Sequence, residues 1–121
     1  MSEEERRENA AKIIDEIASN AATFTAIFSQ VPGMGMATLT KYYLELAKKI
    51  AGLFEQELEV QAATSLVISA CECNKQAIFN KSVLGWIPLV GNAVNAKITF
   101  DLSKNIGWFI YDYFDRLKAK R

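Results

Sequence analysis

The 121-residue chain has no histidine, and only two cysteines, two prolines and six glycines. Its 14 basic side chains balance its 14 acidic ones, so it carries no net charge. Each scarcity excludes something. Without histidine, zinc or haem loses its commonest ligand, and nucleophilic catalysis would have to rest on Cys, Ser or Lys activated by a carboxylate or a lysine. Cys71 and Cys73 are two residues apart. On a helix they point about 200° apart, so they can neither pair with each other nor share a metal. Reduced thiols, and an N-terminal MSEEERRE that is the reverse of a secretory signal, lead us to expect a cytoplasmic protein. A neutral chain also lacks the basic excess of a general nucleic-acid binder. We therefore expect no cofactor, no metal and no enzymatic activity.

What is present reads as helix. Half of the residues are hydrophobic and 23% are charged, the balance of a folded chain with a real core, and the length suits one domain. Ala-rich and aliphatic content with few breakers favours long helices. Ser2–Glu5 has the form of a capping box. Apolar residues then recur in steps of three and four at Ile13, Ile17, Ala21, Phe24 and Phe28, flanked by Ala10, Ile14 and Ile27, and predict a helix over about 3–29. Glu3–Arg7, Glu8–Lys12 and Glu45–Lys49 are spaced as exposed helical ion pairs. Pro32-Gly33 ends the first helix. A second runs over about 34–54, on a stripe of Leu39, Tyr43, Leu46, Ile50 and Leu53. EQELE, Glu55–Glu59, is expected to open a third helix that continues to about Asn80, with a stripe of Leu58, Ala62, Leu66, Ser69 and Cys73 broadened by Val67, Ile68, Ala70 and Ile78. A fourth covers about 89–118, with Val90, Val94, Ile98, Leu102, Ile106, Phe109, Tyr113 and Leu117 as its stripe and Gly107 as a candidate bend. Acids gather at the N-terminal end of the chain and bases at the C-terminal end, which helix dipoles alone explain.

The longest uncharged run, Ile17–Thr40, has 24 residues, nominally enough to cross a bilayer at about 20. It holds several Ser, Thr, Asn and Gln residues, and Pro32-Gly33 interrupts it. A span is therefore not the reading we favour.

Two phrases repeat. VPGMGMATLTK, 31–41, and IPLVGNAVNAK, 87–97, both read aliphatic-Pro-x-x-Gly-x-Ala-x-x-x-Lys. Aligning 27–56 with 83–112, an offset of 56, gives seven identities in thirty positions. Proline starts each helix, and the Gly and Ala that follow leave a smooth patch where another backbone can come close. The resulting expectation is all-α: a four-helix bundle of two hairpins, about 3–55 and 56–118, related by a pseudo-twofold axis, with the second and fourth helices crossing near their N-terminal ends.

The stretches around these phrases resemble the helical domain found beside or fused to GTPases in the YcjF-type family, and more distantly helical regions of immunity-related GTPases. Ile50-Ala51-Gly52-Leu53-Phe54 lies near that family's first helix ending. Ile87-Pro88-Leu89-Val90-Gly91, and Ile98-Thr99 through Gly107, lie near its second junction and the helix after it. The resemblance covers about 27–113 in short pieces. It implies a helical accessory or membrane-proximal module and carries over no catalytic residue. The phosphate-binding Gly-x-x-x-x-Gly-Lys-[Ser/Thr] is absent from the sequence.

Function is sought in what differs between the copies. Trp86, Ile87 and Leu89 are apolar residues in a loop-like junction. Trp108 and Tyr111 fall off the stripe of the fourth helix and are expected to be partly exposed or to meet another chain. Arg116 and Lys118 follow them. Aromatics beside cations are interface material. The favoured reading is a non-enzymatic interaction module that meets a protein partner or a second copy of itself through helix contacts. The alternative is a peripheral membrane module, with the Pro-Gly junctions and the aromatic-basic fourth helix on lipid. A carrier or enzyme with a pocket between helices is the third. Nucleic acid is not an expected partner.

Overall fold

The computed structural model describes residues 2–28, 35–73 and 90–119; within these, the side chains of 25–28, 35–39, 71, 72, 90–96 and 98 are not described. Trp86, Ile87, Leu89 and both prolines lie outside the described residues, as do 31–34 and 87–89 of the two repeated phrases. Among those described there are four helices and no strand: α1 Glu3–Phe28, α2 Gly35–Leu53, α3 Val60–Cys73 and α4 Val90–Ala119.

The start of α1 follows its local chemistry. The Ser2 hydroxyl accepts from the Glu5 N–H at 3.1 Å, and the Ser2 carbonyl accepts from the Arg6 N–H at 2.9 Å. The end of α2 is a Schellman turn. The Gln56 N–H reaches the Ala51 carbonyl at 3.0 Å, and the Glu55 N–H reaches the Gly52 carbonyl at 3.1 Å. Glu55 takes the left-handed position, with φ 58°. That turn corrects the expected boundary. Glu55 closes α2 instead of opening α3, residues 56–59 are not helical, and α3 begins only at Val60.

One hydrophobic cluster draws on every helix and on Phe54, with Ile14, Leu46, Ile50, Ala63, Ile106 and Ile110 among its members. α1 packs most extensively against α4 and then against α2. α2 also meets α3 and α4, α3 meets α4, and α1 does not approach α3 among the described residues. Hairpin pairing would have made α2 the main partner of α1. Gly107 explains part of the difference. It lies inside an unbroken α4, and a methyl group there would come within 2.7 Å of Ile14 Cγ1 and 2.9 Å of its Cγ2. Glycine at this point lets α1 and α4 approach closely. Asp15 and Lys104 pair across the same seam at 3.4 Å.

The stripe expected on α2 is inward at Tyr43, Leu46 and Ile50, and the inward faces of the other helices match those expected only in part. On α1 the buried set is Arg6, Ala10, Ile14, Ile17, Ala18 and Ala21. On α3 it is Ala63, Leu66, Val67 and Ala70, whereas Ala62, Ser69 and Cys73 face solvent. On α4 it runs through Thr99, Leu102, Ser103, Ile106, Ile110, Tyr111 and Phe114. The stripe expected on α4 advances mostly in steps of four, each overshooting a full turn by about 40°. By its end it has swung out of the core, and Tyr113 and Leu117 are 42% and 39% exposed. Glu45–Lys49 forms at 3.2 Å, but the Glu3–Arg7 and Glu8–Lys12 spacings produce no ion pair among the described residues.

Burial of residues 41–54 matches that of 97–110 position by position at the offset of 56, apart from Lys48/Lys104 and Gly52/Trp108. Position 98 is not compared, since its side chain is not described. Tyr43 and Ser103 join α2 to α4 through a buried hydroxyl–hydroxyl hydrogen bond of 3.1 Å. No described helix is long and apolar enough to cross a membrane.

Candidate functional site

The N-terminal turns of α1, the end of α2 and the C-terminal turns of α4 meet at one end of the packed helices, around Arg6. This side chain is only 6% exposed. It arrives there by periodicity, four residues before Ala10 and eight before Ile14, on the face that α1 turns inward. Its Nε donates to the Leu53 carbonyl at 3.3 Å, and its guanidinium carbon stands 4.9 Å from the centre of the Phe54 ring. The Leu53 carbonyl belongs to the last turn of α2, where carbonyls lack helical donors and the helix dipole is negative. Arg6 therefore serves as a cationic cap on a neighbouring helix. Among the described residues no carboxylate pairs with it.

An aromatic cluster surrounds this cation. Phe54 lies 5.2 Å from Tyr111 and 5.9 Å from Phe114, ring centre to ring centre. Trp108 meets Tyr111 edge-on at 5.3 Å, and Tyr113 meets Phe114 edge-on at 5.2 Å. Arg7 lies over Trp108 at 5.2 Å and Tyr111 at 5.9 Å, so its partners are rings instead of the expected Glu3. Tyr111 is 2% exposed. Burial, helped by the nearby Asp115, pushes its phenol above the ordinary tyrosine range, while Arg6 and Arg7 pull the other way.

Beside Arg6 opens a cavity of about 770 Å³, lined also by Gly52, Leu53, Phe54, Glu55, Gln56, Phe114, Leu117 and Lys118. Its rim is the Schellman turn, and Glu55 faces it from a left-handed conformation that glutamate rarely adopts. Its lining brings together a held cation, a second cation in Lys118, apolar walls, one acid and one amide.

The residues singled out in the sequence fare unevenly. Trp108 is half-buried as expected, and Arg116 and Lys118 are exposed. Tyr111 corrects the expectation of exposure: α4 is covered on a second side by the Arg6–Arg7 turn and by Phe54, and the ring sits beneath them. Arg116 turns back to the Asp112 carbonyl at 3.4 Å. Cys73 is exposed and free, not buried as an apolar α3 stripe would have it. Arg6, Phe54 and Glu55 were not anticipated. The spacing of Arg6 to Ala10 and Ile14 was the available signal, and nothing in the sequence marks Glu55 for a left-handed turn.

No protein-family model, curated protein or solved structure matches this chain. The resemblance to the YcjF-type helical domain therefore rests on its quoted motifs alone.

Proposed function

We propose that this chain is a non-enzymatic helical interaction module, a four-helix bundle with an internal repeat, and that its contact surface is the C-terminal part of α4 with the adjoining turn after α2. The observation that carries this reading is the exposure of Tyr113 and Leu117, 42% and 39%, beside an aromatic cluster and with Leu117 flanked by Arg116 and Lys118. Large apolar side chains grouped beside cations are what protein interfaces expose before they close. The matching burial of 41–54 and 97–110 supports the repeat, as does the Tyr43–Ser103 bond. At the offset of 56 that bond's counterpart is Thr99 with Ala47, and both of these are fully buried. The YcjF-type resemblance agrees with an accessory helical module of this kind.

The test is the size of the protein over a range of concentrations in buffer without detergent, and its partition onto anionic vesicles. The reading expects a concentration-dependent oligomer or a stoichiometric co-purifying protein. Tyr113→Ser combined with Arg116→Ser should abolish that association while leaving the helical circular-dichroism signal unchanged. A strict monomer that floats with anionic vesicles would overturn it in favour of a lipid surface.

A further inference from the structure

We propose that the cavity beside Arg6 receives the carboxylate of an acidic residue carried on an apolar peptide segment of a partner protein. The proposal rests on the interaction-module reading and names the chemistry of its partner. Arg6 as a whole residue is only 6% exposed, so its charge is largely withdrawn from water, and burial of an uncompensated charge is costly. Its one hydrogen bond among the described residues uses Nε and goes to the Leu53 carbonyl, and the Phe54 ring lies against it. These two contacts fix the group while leaving the terminal nitrogens without a protein acceptor among the described residues. Terminal guanidinium nitrogens form the planar fork that accepts a carboxylate.

The cavity that Arg6 lines suits more than a lone ion. Its volume is about 770 Å³, and Leu53, Phe114 and Leu117 give it apolar walls. Charge selects the anion. Arg6 and Lys118 are cationic and Glu55 is anionic, so the lining carries a single net positive charge, which one carboxylate balances and a phosphate dianion exceeds. Recession selects the carrier. Arg6 is buried and its guanidinium lies against the Phe54 ring, a setting that a single side chain on a peptide enters more readily than the flat surface of a bilayer.

The test uses the whole chain, labelled with nitrogen-15, and two five-residue peptides of sequence AFELA and AFQLA, acetylated and amidated so that the glutamate supplies the sole charge. AFELA should shift the Arg6 Nε–H resonance and bind at least about ten-fold more tightly than AFQLA, the margin of a charge-assisted hydrogen-bond pair. Lys118→Gln should weaken AFELA several-fold, and Glu55→Gln, which removes a competing acid, should tighten it several-fold. Both side chains are exposed, so neither variant depends on Arg6 for folding. Equal affinity for the two peptides overturns the proposal, as does no binding of either. Inorganic phosphate or phosphatidylserine vesicles producing the larger Arg6 shift would overturn it as well. Loss of self-association in the Tyr113→Ser, Arg116→Ser protein with AFELA binding intact would separate the two surfaces. Intact association with no preference between the peptides would fail the carboxylate alone.

Discussion

Glu55 shows how one residue can be held against its own preference. The turn after α2 needs a left-handed residue at the position Glu55 occupies, where glycine fits without cost and a side chain is opposed by about 1 kcal/mol. Glu55→Gly is therefore expected to raise stability by about 0.5–1 kcal/mol in urea unfolding. A loss would mean that the Glu55 side chain makes a compensating contact. Tyr43 illustrates the opposite economy. Its hydroxyl and that of Ser103 satisfy each other in the core at 3.1 Å. Tyr43→Phe strands the serine and should cost about 1–2 kcal/mol, with less than additive loss when Ser103→Ala is added. Tyr111 links a residue to pH. Its folded pKa lies above the unfolded value of 10.0. The neutral phenol is thus favoured in the native state, and its contribution is intact below pH 10 and lost as pH climbs through the folded value. Stability should fall from about pH 10 upward, and Tyr111→Phe should flatten that fall.

At the scale of the helix, the seam between α1 and α4 depends on Gly107. A methyl group there meets branch atoms of Ile14 at under 3 Å. Those atoms sit close to the backbone and have little freedom to give way. Overpacking of this kind costs about 1–3 kcal/mol, against a gain of up to about 1 kcal/mol in helix propensity. Gly107→Ala should thus lower stability on balance. In the background of Ile14→Ala the same change should become neutral or favourable, because the space has opened, and thermal melts of the four proteins give the coupling. Helix ends were readable in the sequence to within a residue or two wherever a cap or a proline announced them, as at Ser2, Phe28 and Val90. The α2–α3 boundary was not, because Glu55 does a glycine's work. Helix faces were harder still. Counting in fours keeps hydrophobic residues aligned on paper while the real helix turns away, which is why the spacing points Tyr113 and Leu117 to the core and Tyr111 to the surface, the reverse of their burial.

For the whole molecule, the all-helical class followed from composition and spacing, but the pairing of helices did not. Nothing local tells α1 that its main partner will be α4, and part of what admits it is a missing side chain at Gly107. The candidate site was half legible. The aromatic and basic turns of α4 stood out, whereas Arg6 looked like one more charge in an acidic helix start. The α1–α4 seam also says something about the order of events during folding. Ile14 and Gly107 are separated by most of the chain, so their contact closes one of the longest loops in the fold and costs least once the rest has ordered. α2 and α3, joined by a short connection, can meet early. Ile14→Val should then act mainly on the unfolding arm of a chevron plot, while Val67→Ala in α3 should slow refolding. The glycine that admits α1 to the core would thereby set how long the native protein stays shut, and have little influence on how fast it is made.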